Sequence, residues 1–94
     1  GMSKYPARDI ERALLAKGFK LEKRAERYFF LYTNGRRTRV QTHISHGERD
    51  VSENLFSHMA RQLHLTKAEL RDLVECTLSG ERYVELLRGR GFIG

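Results

Sequence analysis

Cysteine is almost absent from this sequence: Cys76 is the only one among its 94 residues. A single cysteine cannot form an internal disulfide, and this usage suits a reducing compartment such as the cytoplasm. Apolar runs are short as well, and none approaches the roughly 20 residues that a membrane-spanning helix needs. No signal-peptide pattern is visible near Met2. We therefore expect a cytoplasmic protein with no membrane contact.

Metal ligands are also scarce. His43 and His46 are three residues apart, but no cysteine or carboxylate cluster completes a site around them. His58 and His64 follow on a predicted helix. We therefore predict no metal and no cofactor. Cys76 lies between two predicted helices in apolar surroundings, where a small packed side chain is expected rather than a nucleophile.

Positive charge is unevenly distributed along the chain. The length suits one domain, residues 1–94, and 39% hydrophobic with 32% charged residues indicates a soluble globular protein. The net charge is +6; residues 1–50 hold twelve Lys or Arg against six Asp or Glu, whereas residues 51–94 hold six of each. A basic excess confined to one half favours a polyanionic partner, most simply nucleic acid. The alternative is ordinary solubility charge.

A β-hairpin is predicted at residues 28–43, which read YFFLYTNGRRTRVQTH. Val, Thr, Tyr and Phe suit a pleated surface, and Asn34-Gly35 accepts the positive φ angles of a two-residue turn. A turn of this length fixes the register. The predicted pairs are Thr33–Arg36, Leu31–Thr38 and Phe29–Val40, with His43 opposite Glu26.

The two faces of this hairpin differ in chemistry. One face carries Phe29, Leu31, Thr38 and Val40, and the other carries Tyr28, Phe30, Tyr32, Arg37, Arg39, Gln41 and His43. Rings that stack bases and guanidinium groups that hold phosphates are what a nucleic-acid platform needs. The predicted nucleic-acid contacts are Arg27, Arg36, Arg37, Arg39, Tyr28, Phe30 and Tyr32. The alternative is that another element or a second subunit covers these aromatic residues.

The rest of the sequence predicts one helix and one strand before the hairpin and three helices after it. The first helix spans about residues 6–17, with apolar Ile10, Ala13, Leu14 and Leu15, and Gly18 after its end; the strand spans residues 19–24. The later helices end near residues 63, 75 and 88. Their predicted N-terminal signals are the capping boxes Asp50/Glu53 and Thr66/Glu69 and the N-cap Ser79. The class is α+β with a three-stranded antiparallel sheet.

His43 and His46 are the candidates for acid–base chemistry. Both lie near the end of the third strand, and imidazole titrates near neutral pH. In the predicted register His43 faces Glu26, and a His–Glu pair could act on an RNA 2′-hydroxyl. The same pair could equally be a surface ion pair that contributes little.

Several motifs of the N-terminal two thirds occur in a fixed order. They are an amphipathic helix ending at Gly18-Phe19, a charged first strand, an aromatic second strand, Asn34-Gly35-Arg36-Arg37, a third strand reaching Val40, and His46-Gly47 before a helix. With this order, residues 4–65 resemble the HicA-like toxins. These are small mRNA interferases with a double-stranded-RNA-binding-like α-β-β-β-α fold, usually neutralised by a HicB antitoxin. The resemblance implies RNA and a HicB-like antitoxin as partners.

Two features depart from the family's pattern. The family's catalytic histidine follows a Gly-Ser pair at the start of the second strand, whereas Arg27 or Tyr28 holds that position here, after Ala25-Glu26. Residues 66–94 form a helical extension that could cover the aromatic face. We therefore expect a HicA-like RNA-binding protein without the usual catalytic histidine. The alternatives are an active mRNA interferase that uses His43 or His46 and a non-enzymatic homodimeric module.

Overall fold

A computed structural model describes residues 5–94 of the chain, so Lys4, the first residue of the expected HicA-like core, lies outside the described residues. The helices are α1 (Ala7–Ala16), α2 (Glu53–Gln62), α3 (Lys67–Val74) and α4 (Gly80–Gly89). The strands are β1 (Tyr5–Pro6), β2 (Phe19–Lys23), β3 (Arg27–Thr33), β4 (Arg36–Ile44) and β5 (Asp50–Val51). The predicted α+β class is confirmed: α1 precedes a three-stranded antiparallel sheet in the order β2-β3-β4, and three helices follow. None of the helices within residues 5–94 is long and apolar enough to cross a bilayer.

The N-cap of α2 is Ser52, so the prediction of Asp50 at this position is wrong. The Ser52 side chain accepts a hydrogen bond from the backbone N–H of Leu55 at 3.2 Å. Asp50 instead lies in β5, which pairs antiparallel with β1. In this pairing Asp50 stands opposite Pro6. This two-residue pairing joins the segment before α1 to the segment after the three-stranded sheet. Because it is a contact distant in sequence, local capping preferences do not reveal it.

The other predicted caps are confirmed. Thr66 and Glu69 form a reciprocal capping box at the start of α3. The side chain of Ser79 accepts from the backbone N–H of Arg82 at the start of α4. Gly18 follows α1 with a φ of +104°, a conformation that favours glycine because it has no Cβ. The helices therefore begin and end close to where their sequence signals place them.

The register of the hairpin is correct at its turn and wrong beyond it. Thr33 pairs with Arg36, as predicted, but Phe29 pairs with Thr42 rather than Val40. Residues 38–40 stand opposite Leu31 alone, so the predicted Leu31–Thr38 pair does not form. The irregularity moves the register by two residues. Because side chains alternate with a period of two, such a slip leaves the side chains of the paired residues on their predicted faces.

Thr38 stabilises this bulge. Its hydroxyl donates to the carbonyl oxygen of Leu31 at 2.9 Å and accepts from the backbone N–H of Val40 at 3.1 Å. The Thr38 hydroxyl therefore supplies hydrogen bonds to backbone groups that the extra residues would leave without partners in the ladder. The predicted register of His43 opposite Glu26 is also wrong, since His43 stands opposite Tyr28, although the two side chains are in contact at 3.2 Å.

All four helices pack on one side of the sheet, which we call the inner face. The core cluster joins strand residues Phe19, Phe29, Leu31, Val40 and Ile44 to residues of every helix, including Leu14, Phe56, Leu70 and Tyr83. Thr42 is buried on the same face, where its hydroxyl donates to Gln62 Oε1 at 2.6 Å. The core is thus a single layer between helices and sheet.

Helix α4 reaches the inner face through Tyr83. The Tyr83 and Phe19 rings lie 6.0 Å apart, and the Tyr83 hydroxyl donates to the carbonyl oxygen of Leu63 at 2.9 Å. Burial raises the pKa of this phenol. Because Phe19 belongs to the inner face, the C-terminal helices lie on the same side as α1. The alternative that residues 66–94 cover the aromatic face of the hairpin is therefore wrong.

Two further packing predictions are wrong. Cys76 is exposed, because the chain turns through a positive φ of 68° just after α3 and carries the thiol away from the core. Leu15 is 44% exposed, whereas Ile10, Ala13 and Leu14 are buried as predicted. The buried stripe of α1 is narrower than its apolar residues suggest.

Candidate nucleic-acid interface

The side of the sheet opposite the helices is the candidate site, and we call it the outer face. It comprises Lys20 and Glu22 of β2, Tyr28, Phe30 and Tyr32 of β3, and Arg37, Gln41 and His43 of β4. Phe30 is only 7% exposed, yet it lies outside the core cluster that the helices form. Its cover therefore comes from neighbouring side chains of the outer face itself.

Two guanidinium groups lie over the central rings. The Cζ atom of Arg37 is 3.6 Å from the centroid of Phe30. Arg24, just beyond β2, places its Cζ atom 5.8 Å from the Tyr28 centroid and 5.9 Å from the Phe30 centroid. Tyr28 and Phe30 are themselves stacked at 6.2 Å. Each cation–ring contact contributes about 0.5–2 kcal/mol, depending on how far water is excluded.

Glu22 connects the two arginines. Its carboxylate accepts one hydrogen bond from Arg24 at 2.6 Å and another from Arg37 of β4. The hydrogen bond from Arg24, followed by the charge of both arginines, holds the pKa of Glu22 below its usual value. The carboxylate therefore stays ionised at neutral pH and partly neutralises the cations above Phe30.

The remaining aromatic residue of the outer face is Tyr32. The Lys20 ammonium lies over its ring, with Nζ 4.3 Å from the centroid. Tyr28 and Tyr32 are half-buried, whereas Phe30 is buried. The predicted stacking platform therefore holds two partly accessible rings and one ring that is covered by Arg37.

Three of the predicted phosphate contacts line one concavity at the free edge of β4, which we call the arginine groove. Its volume is about 610 Å³. Its lining is Thr33, Asn34, Arg36, Arg37, Thr38, Arg39, Phe92, Ile93 and Gly94. Arg36, Arg37 and Arg39 are exposed, and no carboxylate side chain of residues 5–94 lines the groove. Three cationic groups in one concavity attract a polyanion and concentrate it there.

Arg27 is separate from this groove. Its side chain is 16% exposed and forms an ion pair with Glu11 of α1 at 3.4 Å. Its guanidinium also donates to the carbonyl oxygens of Ser45 and Glu48 at 2.8 and 2.9 Å. These contacts hold the loop after β4 against α1, so Arg27 takes a structural role on the helix side of the sheet.

The two candidate histidines both contact the turn between β2 and β3. His43 Nε2 lies 3.2 Å from Glu26 Oε1, although the N–H is not aligned for a hydrogen bond. The His43 ring is tilted against Tyr28 at 5.4 Å. His46 Nε2 is 2.8 Å from the carbonyl oxygen of Arg24. Because a carbonyl only accepts, the proton of a neutral His46 lies on Nε2, which leaves Nδ1 as a proton acceptor.

Sequence reasoning missed three residues of the site: Lys20, Glu22 and Arg24. The alternation of β2 gives a signal for the first two, because Phe19 and Leu21 point inward and place their neighbours outward. Nothing local indicates that Glu22 would reach both Arg24 and Arg37, because that bridge requires the alignment of β2, β3 and β4.

Neither the metal-ligating residues of the described chain nor comparisons with known proteins indicate a function. Within the described part of the chain, His, Cys, Asp and Glu side chains form no group of three or more that could hold a metal ion. No protein-family model, curated protein or solved structure matches the chain. Function is therefore inferred from the chemistry of the outer face and the arginine groove.

Proposed function

We propose that this protein binds RNA through the outer face and the arginine groove. The observation that carries the proposal is the groove, where Arg36, Arg37 and Arg39 line one concavity without a carboxylate side chain from residues 5–94. Phosphates enter such a groove with release of counterions, which drives binding at low salt. The partly exposed rings of Tyr28 and Tyr32 offer neighbouring faces on which bases stack.

The order of the elements supports a HicA-like fold for residues 4–65. The run α1-β2-β3-β4-α2 has the α-β-β-β-α order expected of a double-stranded-RNA-binding-like core, and α3 and α4 follow it. Arg27 or Tyr28 holds the position of the family's catalytic histidine, and this favours binding over cleavage. We therefore propose a protein of toxin–antitoxin origin that acts in the cytoplasm with a HicB-like antitoxin as partner. An antitoxin-like reading frame beside the gene would support this origin.

A salt titration with a matched pair of double variants tests RNA binding. Arg36→Ala/Arg39→Ala removes two charges from the groove, and Arg61→Ala/Arg82→Ala removes two exposed charges from α2 and α4. Both variants have the same net charge. We expect the groove variant to bind RNA at least about tenfold more weakly at low salt. Its salt slope should fall by about 1.4, since each phosphate contact to a single strand contributes about 0.7.

The helix variant should bind almost as tightly as the wild type. Equal losses in both double variants would mean that only net charge matters, and the groove would have no specific role. No binding of RNA by the wild type at about 50 mM salt would overturn the proposed function itself.

A ribonuclease is the second candidate function, and the contact between His43 and Glu26 favours it. The Glu26 carboxylate lies 3.2 Å from the imidazole, close enough for a small rotation of the ring to bring the two groups into a hydrogen bond. His46, with Nδ1 as an acceptor, could supply the second proton-transfer group. RNA cleavage by the wild type that disappears in His43→Ala or His46→Ala would support this function. The idea fails if the wild type leaves RNA intact while binding it.

A further inference from the structure

Phe92 is an exposed aromatic residue at the rim of the arginine groove. It is 47% exposed, and it lines the groove together with the arginines of β4. One face of its ring is occupied, because the His64 ring is stacked on it with centroids 3.7 Å apart and planes inclined by 10°. The exposed area therefore belongs to the edge and the opposite face of the ring.

The backbone at Phe92 is anchored, which limits the positions that its ring can take. The backbone N–H of Phe92 donates to the carbonyl oxygen of Leu87 at 2.9 Å. Ile93, the next residue, packs against the core cluster. A ring held in this way loses little conformational entropy when another ring stacks on it.

The backbone of His64, whose ring lies beneath Phe92, is also held in place. The guanidinium of Arg90 donates to the carbonyl oxygen of His64 at 2.9 Å and forms a bidentate pair with Glu69 at 3.0 and 2.6 Å. Burial lowers the pKa of His64, which favours the neutral form of its ring. Phe92 is stacked on this ring, and its open face is a preformed shelf beside cationic groups.

We propose that the arginine groove takes one nucleotide of a single-stranded nucleic acid, with its base stacked on the open face of Phe92 and its phosphates held by Arg36 and Arg39. This inference rests on the proposed function and adds the form of the ligand. The groove volume of about 610 Å³ is in the range of pockets that hold a molecule of this size. A base within a duplex is stacked and paired, so it cannot reach the shelf.

A tryptophan at position 92 reports directly on stacking, because the natural chain contains no tryptophan. Phe92→Trp places an indole at the rim of the groove. Leu15→Trp is the matched control, since Leu15 is similarly exposed at 44% but lies on α1 and does not line the groove. We expect an oligouridylate to quench the emission of Trp in the first variant and to leave the second unchanged.

Affinity measurements with three probes complete the test. The probes are an oligouridylate, an oligothymidylate and a blunt RNA duplex of the same length. Phe92→Ala should weaken binding of the single strands about tenfold, the usual effect of removing one stacking ring, and should leave duplex binding unchanged. Phe92→Tyr keeps the ring and should bind like the wild type. A preference for the oligouridylate over the oligothymidylate would identify RNA, and equal binding would identify single strands of either kind.

The outcomes separate this inference from the function on which it rests. If the wild type binds single strands and Phe92→Ala binds them equally well, the shelf has no role and RNA binding stands. If Phe92→Ala weakens single-strand and duplex binding alike, its effect is not base stacking, and the inference also fails. If the wild type binds none of the three probes at about 50 mM salt, both proposals fail together.

Discussion

Arg37 lies over Phe30 with its Cζ atom 3.6 Å from the ring centroid, while the same guanidinium donates to Glu22. Arg37 therefore covers the Phe30 ring, binds the Glu22 carboxylate and lines the arginine groove. A phosphate that approaches this guanidinium competes with Glu22 for its N–H groups. The strength of RNA binding should therefore depend on an internal contact as well as on the number of arginines.

The first prediction concerns Glu22. Glu22→Gln removes the negative charge that neutralises Arg24 and Arg37, and it frees both guanidinium groups for phosphates. We expect RNA affinity at low salt to rise several-fold. The slope of log K against log salt should steepen by about 0.7 to 1.4, the contribution of one or two further phosphate contacts to a single strand.

The matched control is Glu85→Gln. Glu85 lies on α4, where its side chain is 69% exposed and 3.6 Å from Arg82, and the substitution changes net charge by the same amount. It should alter RNA binding only slightly. Equal effects of the two substitutions would show that Glu22 acts through net charge alone, and the competition described above would be refuted.

Thr38 is predicted to stabilise the register of the sheet. Thr38→Val keeps the shape of the side chain but removes the hydroxyl that donates to the carbonyl of Leu31 and accepts from the N–H of Val40. Leaving these two groups without a partner should lower the free energy of unfolding by about 1–3 kcal/mol. Chemical denaturation measures this change. Thr33→Val, at another half-buried position of the hairpin, should have a clearly smaller effect, and similar losses would contradict the role of Thr38.

Acid stability should depend on Glu69. The hydrogen bond from Arg90, followed by that from the backbone N–H of Thr66, lowers the pKa of Glu69 to about 2. Because the folded-state pKa is lower than the unfolded value of about 4.3, the pair stabilises the fold above pH 4.3. This stability is lost progressively as the pH falls toward 2.

Glu69→Gln isolates this effect. Glutamine at this position retains the capping box with Thr66 but cannot form the ion pair with Arg90. The difference in unfolding free energy between wild type and variant should therefore shrink as the pH is lowered from 5 to 2. A difference that stays constant over this range would mean that the charge of Glu69 does not stabilise the fold.

Two glycines of α4 should respond to alanine in opposite directions. A Cβ at Gly80 would lie 3.1 Å from the carbonyl oxygen of Lys17, whose ammonium donates to Leu78 and fixes the end of α1. A Cβ at Gly89 meets nothing within 4 Å. Gly80→Ala should therefore destabilise by about 1–3 kcal/mol, and Gly89→Ala should stabilise by up to about 1 kcal/mol.

Thermal unfolding checks this pair. Each kcal/mol corresponds to a shift in Tm of about 4–8 °C for a domain of this size. A rise in Tm for Gly80→Ala would show that the end of α1 can move aside, and the tight contact between α1 and α4 would not constrain the fold.

Local patterns were sufficient for most of the elements and for both faces of the hairpin. The alternation from Tyr28 to Tyr32 places each side chain correctly because a face depends only on parity along the strand. The register beyond the turn depends on Thr38, whose hydroxyl makes an extra pair of residues acceptable. Such a bulge has no sequence signature as clear as that of Asn34-Gly35, so the sequence does not predict the shift.

The sequence predicts the site residues that are neighbours along the chain, but it does not predict those that the fold brings to them. Arg36, Arg37 and Arg39 follow one another along β4, and their charge is evident in the sequence. Phe92 joins them only because α4 packs on the inner face and returns the chain to the edge of β4. A contact between residues so far apart requires the packing of whole helices, which periodicity does not specify.

The core of this protein is built without the outer face. Its cluster contains residues from all four helices and from the inner side of the sheet, and it includes none of Tyr28, Phe30 and Tyr32. Substitutions of the half-buried outer-face residues Tyr28 and Tyr32 should therefore affect ligand binding more than folding. Natural variation could replace the aromatic and cationic residues there while the same helices remain packed on the same strands. Changes at the partly exposed positions of this face can thus accumulate without disturbing the core of the fold.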